Sequence, residues 1–311
     1  MLKTIESQPN RELIGKRLQE EGKKVVGYYC CYPPLELFTA ADVVPFRLLG
    51  DMSETITEAD AYLETIMCPF VRSSFDLGLK GRYDFLEGFV CPHTCDTVER
   101  MYNIWNYYLK PGYSHFINIP HRIDDASFDF FISELSLFRS SLEKFIGSKI
   151  TDDKLQEAID LHNQNRALMR QIYDLRKSDP PKISGSEILR AVIQGLSLPV
   201  TESNELFKLI IDEAAKRDDG PPKRDARVLV YGSEVDDPIL INLVEESGAN
   251  VVADDMCLGS RIYGTDVENS GDPISAIARH YLYDIMCPRT YRRLEEEPYE
   301  EELDLRFKHI K

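Results

Sequence analysis

Short apolar runs alternate with longer amphipathic stretches through the first part of the chain. Lys24–Cys30, Val43–Leu49, Asp84–Val90 and Ser114–Pro120 read as strands. Between them, residues 34–41, 69–80 and 96–109 carry the helical period, with Gly81 placed to end the second of these. Residues 1–22 read as one amphipathic helix stopped near Gly22. Pro45 inside the second strand predicts an edge position or an irregular start. Alternating strand and helix predicts a parallel sheet with crossover helices.

The pattern changes over residues 127–217, where Leu, Glu, Arg and Lys recur at helical spacing and no clear strand occurs. Ser184-Gly185-Ser186-Glu187 is a capping-box start within it. Asp218–Asp225, rich in Pro, Gly and charge, reads as a linker. The strand–helix rhythm returns with Arg227–Gly232, a helix over 238–246 closed by Gly248, and the strand Asn250–Asp255. Residues 291–311 read as a charged helix. The predicted organisation is α/β: a first unit over 1–126, a helical segment and linker over 127–225, and a second α/β unit over 226–311 whose sheet looks unfinished.

Composition sharpens this picture. Hydrophobic residues at 43% and aromatics at 10% supply ample cores and exclude a disordered chain. A net charge of −16 argues against a general nucleic-acid binder and against an anionic membrane surface. No run approaches the roughly 18 apolar residues of a membrane span, and the first residues carry no secretory core, so a cytoplasmic protein is expected. Seven cysteines, an odd number, fit thiols or metal ligands better than a disulfide framework.

Cys68 and Cys95 are the main chemical candidates. Cys68 precedes Pro69, a favoured first residue of a helix, and Cys95 precedes Asp96 and Glu99, which read as an N-cap and capping box. Each stands where a strand-like run gives way to a helix. Thiols at helix N-termini are biased toward thiolate, and the carboxyl edge of a parallel sheet is where open α/β folds place their chemistry. Two such thiols suggest a metal or an iron–sulfur cluster; the competing reading is a pair of buried structural cysteines. Cys91-Pro92-His93-Thr94-Cys95 permits zinc by spacing, but no second local cluster completes four ligands. Glu36, just beyond the first strand, is either a helix-start carboxylate or a site residue. Asp254-Asp255-Met256-Cys257-Leu258-Gly259-Ser260-Arg261 reads equally as a buried polar network or a solvated turn. No Gly-rich dinucleotide loop, P-loop, G-x-S-x-G or HExxH motif occurs.

Several of these segments, taken in order, resemble one family. Val26-Gly27-Tyr28 through Pro34-Leu35-Glu36-Leu37, then Ala40-Ala41-Asp42-Val43-Val44-Pro45, is similar to the opening of the 2-hydroxyacyl-CoA dehydratase D-component and benzoyl-CoA reductase family. Cys68, Cys95-Asp96-Thr97, Asp254-Asp255 and Ser260-Arg261 fall in the order of that family's later motifs. The resemblance implies two flavodoxin-like α/β domains and a [4Fe-4S] or related cluster held by cysteines, with Cys68 and Cys95 as ligands. It also implies a homologous partner subunit, an ATP-dependent activator protein as electron donor, and an acyl-CoA substrate dehydrated through a one-electron, ketyl-radical route. Glu36 would then polarise or position the thioester. Ring reduction of the benzoyl-CoA reductase type, a double-cubane-cluster reductase and a non-catalytic scaffold or cluster-relay subunit are the alternatives. The family's third cluster cysteine lies on a strand after the last helix predicted here; Cys257 and Cys287 are the substitutes available by residue type.

Overall fold

The computed structural model describes residues 1–285 and 287–290. The predicted N-terminal helix is two helices, α1 (Lys3–Glu6) and α2 (Arg11–Glu20). Pro9 interrupts donation along the backbone, and the Asn10 side chain then accepts from the Glu12 amide and starts a new helix. Gly22, at φ 74°, turns the chain into the sheet.

Strands β1 (Lys24–Tyr28), β2 (Val43–Arg47), β3 (Gly88–Pro92) and β4 (Tyr113–Ile117) form one parallel sheet in the order β2-β1-β3-β4. Pro45 sits on the edge strand, where a missing N–H breaks no central ladder. The third strand starts at Gly88 rather than at Asp84, because residues 81–86 are used in the turns that follow the preceding helix. Gly88 is required there by packing: a Cβ would stand 2.9 Å from the Tyr113 ring.

Three helices connect these strands, α3 (Leu35–Ala40), α4 (Pro69–Leu79) and α5 (Asp96–Tyr108). β1, β2 and β3 are buried almost throughout, as a parallel sheet covered on both faces demands. Under the sheet Phe89 stacks on Trp105 with ring centroids 4.9 Å apart, and Tyr29 meets both edge-on. Strand order reverses between β1 and β3, which opens a crevice at their carboxyl ends.

The helical stretch comprises α6 (Asp125–Ile146), α7 (Asp152–Leu175), α8 (Gly185–Gly195) and α9 (Val200–Lys216). Ser184 and Glu187 form the predicted capping box at the start of α8. A second parallel pair follows, β5 (Ala226–Tyr231) and β6 (Ala249–Asp255), joined by α10 (Ile239–Glu246). Two short helices, α11 (Ser260–Tyr263) and α12 (Pro273–Arg279), precede a π-turn over His280–Asp284. The protein is therefore α/β with two parallel sheets, the second holding two strands among the described residues. The charged helix predicted for 291–311 lies outside the described residues. No helix among the described residues is long and apolar enough to cross a membrane.

Candidate active site at the carboxyl edges of the two sheets

Past the end of β1 the backbone reverses sharply. Cys30 adopts φ 67°, a left-handed conformation uncommon for a residue with a side chain. The turn sets the Cys30 and Cys31 sulfurs 3.9 Å apart, both buried.

Cys95 follows β3 and is the N-cap of α5, so Asp96 is the first helical residue rather than the cap. The predicted capping box does not form; the Glu99 carboxylate lies 3.2 Å from His93 instead. Cys68 is the N-cap of α4, with Pro69 as its first helical residue. It does not directly follow a strand. A long loop from β2 leads to it, and Asp76 holds that loop by accepting from the amides of Thr57, Glu58 and Ala59 at 2.9, 2.7 and 2.9 Å.

Both thiols are exposed. Burial of the sulfur raises the Cys95 pKa, opposed by the amides of Val98 and Thr97, while the charges of Cys30 and Cys68 raise it further. The thiolate bias expected from the helix terminus is thus outweighed at Cys95 by desolvation and like charge. Among the described residues, no group of three or more His, Cys, Asp or Glu side chains is arranged to hold a metal ion. Cys68 and Cys95 are thus the exposed N-caps of the successive helices α4 and α5.

Glu36 lies on α3 and is completely buried. Arg166 of α7 donates to one carboxylate oxygen, and the Tyr281 hydroxyl donates to the other at 2.9 Å. Burial alone would raise the Glu36 pKa, but the charges of Arg166, His162 and His280 bring it down to about 2. The ionised carboxylate therefore pins α3 to α7 and to the π-turn. Tyr281 also accepts from the Leu35 amide at 3.1 Å, so the same network fixes the start of α3 just beyond the Cys30–Cys31 turn.

The Asp254–Arg261 segment is a buried polar network. Asp254 accepts from the Ser260 amide at 2.7 Å and pairs with Arg176 at 2.7 Å. Gly259 has to be glycine, because a Cβ would lie 2.3 Å from the Asp254 carboxylate. Asp255 pairs with Arg261 at 2.9 Å, and Arg261 also donates to the Cys257 sulfur at 3.3 Å. Cys257 donates its amide to the Ser233 carbonyl at 2.9 Å and interacts electrostatically with Cys31 and Cys287, so the second sheet's edge meets the first.

Two further features escaped the sequence reading. Arg47, at the end of β2 and fully buried, donates to Glu234 at 2.6 Å. Burial, with Arg47 opposing it, lifts the Glu234 pKa to about 8. Arg289 donates to the carbonyls of His93, Thr94, Ile119 and Pro120 at 2.8, 2.7, 2.7 and 3.1 Å. It thereby fastens the Cys95 loop to the end of β4. An Arg beside Cys-Pro was visible in the sequence, but its carbonyl partners are remote in the chain.

A parallel α/β scaffold with thiols gathered at a switch point defines the class. The family profile described as 2-hydroxyglutaryl-CoA dehydratase, D-component, matches residues 30–308, and the chain belongs to that family. It is 32% identical over 271 residues to a benzoyl-CoA reductase subunit of Thauera aromatica, covering 85% of this chain and 69% of that protein. It is 28% identical to the lactoyl-CoA dehydratase beta subunit of Anaerotignum propionicum, covering 89% and 74% of the two chains. It is also 28% identical to the (R)-2-hydroxyglutaryl-CoA dehydratase beta subunit of Acidaminococcus fermentans, covering 84% and 70%.

Proposed function

We propose that this chain is one subunit of a 2-hydroxyacyl-CoA dehydratase-type enzyme that acts in the cytoplasm beside a homologous partner subunit, with an ATP-dependent activator protein as its electron donor. What supports this reading is that Cys68 and Cys95 are accessible N-caps of the successive helices α4 and α5, in a chain of this family. These two residues would hold a [4Fe-4S] or related cluster, which supplies single electrons at low potential for removing the 2-hydroxyl group of an acyl-CoA as water. The chain's own contribution is positional. Arg289 holds the Cys95 loop by its carbonyls, and Asp76 holds the loop that ends at Cys68. Glu36, with both oxygens engaged, acts as a positioning residue for the Cys30–Cys31 turn rather than as a group touching the thioester.

Anaerobic reconstitution with iron and sulfide tests the cluster assignment. Bound iron and a brown chromophore are expected, both falling at least several-fold in Cys68→Ser and in Cys95→Ser with little change in melting temperature. A colourless, iron-free protein would favour the scaffold reading. For Glu36→Gln we expect kcat to fall more than KM rises; a change confined to stability would leave Glu36 purely structural. The 32% identity to a benzoyl-CoA reductase component supports ring reduction as the second reading. Turnover of the assembled enzyme on 2-hydroxyacyl-CoA against benzoyl-CoA separates the two.

A further inference from the structure

Away from the thiols, a cavity of about 270 Å³ lies between the start of α2, α8 and the loops that follow β2 and β5. That volume is just below the roughly 300–1,000 Å³ typical of ligand pockets, which fits a small metabolite rather than a large cofactor. Neither Cys68 nor Cys95 lines it.

The cations of this cavity are of two kinds. Arg82 is already paired with Glu12 and Glu54. Arg11 donates to the Ser197 hydroxyl at 2.6 Å and to the Arg47 carbonyl, both neutral acceptors, and Arg190 of α8 has no carboxylate partner among the described residues. The Nε of Arg190 and the Oε1 of Gln194, one turn further along α8, are buried without a hydrogen-bond partner in the protein. Buried polar atoms of this kind are costly until a partner satisfies them.

The loops supply carboxylates that are equally unpaired. Asp236 accepts from the Gly50 amide, Asp51 from the Ser53 amide and Asp237 from the Ile239 amide, each at 2.8 Å. None of the three forms an ion pair among the described residues, although all line the same cavity as Arg11 and Arg190. Burial raises the pKa of Asp236 and the charge of Asp237 adds to it, against the Gly50 amide. A simple anion entering the cavity would meet these carboxylates, and a simple cation would meet the guanidiniums. A ligand carrying both charges satisfies both sets, and the guanidinium fork matches a carboxylate in shape.

We propose that this cavity binds a small free α-amino acid, with its carboxylate on Arg11 and Arg190 and its ammonium on Asp51 and Asp236. The loops after β2 and β5 belong to different sheets, and Asp236 already joins them through Gly50. An ammonium held between Asp51 and Asp236 would add a second tie between the sheets. The site uses no cysteine and no iron, so it stands or fails independently of the cluster assignment.

The test titrates glycine, L-alanine and L-serine into the full chain by calorimetry, with acetate and methylamine as single-charge controls. Saturable binding of at least one amino acid with Kd below about 1 mM is expected, and both controls should bind at least about tenfold more weakly. Arg190→Gln and Asp236→Asn should each weaken the amino acid at least about tenfold, the loss expected of one charge-assisted hydrogen bond. In the wild-type chain the bound amino acid should slow hydrogen exchange at the Gly50, Ser53 and Ile239 amides, which locates the site even where a variant fails to fold. No saturable binding up to about 10 mM, acetate or methylamine binding as tightly as the amino acids, or protection confined to other segments would overturn the proposal. So would folded variants that bind as the wild type does.

Discussion

The two sheets of this protein obey the same topology and differ in how completely they are enclosed. β1, β2 and β3 are buried almost from end to end, whereas β5 follows an exposed and half-buried pattern. Around β5, Tyr231 is 65% exposed and Leu243 of α10 is 56% exposed. β6 by contrast is buried, because α8 packs against it at Gly185, where a Cβ would come within 2.7 Å of Val251. A parallel sheet is stable only where helices cover it. The first sheet meets that condition by its own crossovers, and the second meets it on the side that faces the helical stretch. The catalytic candidates lie where the better-enclosed sheet supplies rigidity and the second supplies only a loop.

The largest expected effect breaks the first sheet's core. Phe89→Ala removes a ring stacked on Trp105 and should cost about 3–5 kcal/mol in urea unfolding. Arg166→Ala leaves the Glu36 carboxylate buried without its cation and should cost a similar amount, about 3–5 kcal/mol, by the same measurement.

Acid should weaken the same region next. His162 is buried between α3 and α7, where burial first, and the Arg166 charge after it, lower its pKa to about 4 from 6.5. The unfolded chain takes up this proton below about pH 6.5 and the folded chain does not, so stability falls as pH drops from about 6.5 to about 4, by up to about 3 kcal/mol. His162→Gln should flatten that part of the pH–stability curve. Glu36, depressed to about 2 from 4.5, adds a further loss only below about pH 4.5.

In the second sheet, Gly259→Ala forces a methyl against the Asp254 carboxylate and should cost about 1–3 kcal/mol. Smallest of all, Leu243→Ser on the exposed side of α10 should change stability by less than about 0.5 kcal/mol. A large loss from Leu243→Ser would mean that the second sheet is as enclosed in solution as the first.

Much of the frame was legible from residue order. The rhythm of strand and helix, the stops at Gly22, Gly81 and Gly248, and the Ser184 capping box all rest on interactions within a few residues, and Pro45 marked an edge strand because its missing N–H suits no central ladder. Errors arose where a nearby competitor won. Pro9 split the first helix, and Glu99 turned to His93 in place of the backbone amide at the start of α5.

What the sequence by itself determined is therefore the α/β class, the family, and which residues carry thiols and carboxylates. Only the tertiary structure decided what those groups can do. Glu36 became a buried anion because Arg166 and Tyr281, remote in sequence, engage both its oxygens. Cys95 lost its expected thiolate bias because burial, with neighbouring thiols adding to it, outweighs two backbone amides. Cys257 gained such a bias because the fold sets Arg261, Cys31 and Cys287 around it. Hydrophobic period is a property of neighbours along the chain, whereas desolvation and charge act through space, and only folding determines which charges become neighbours.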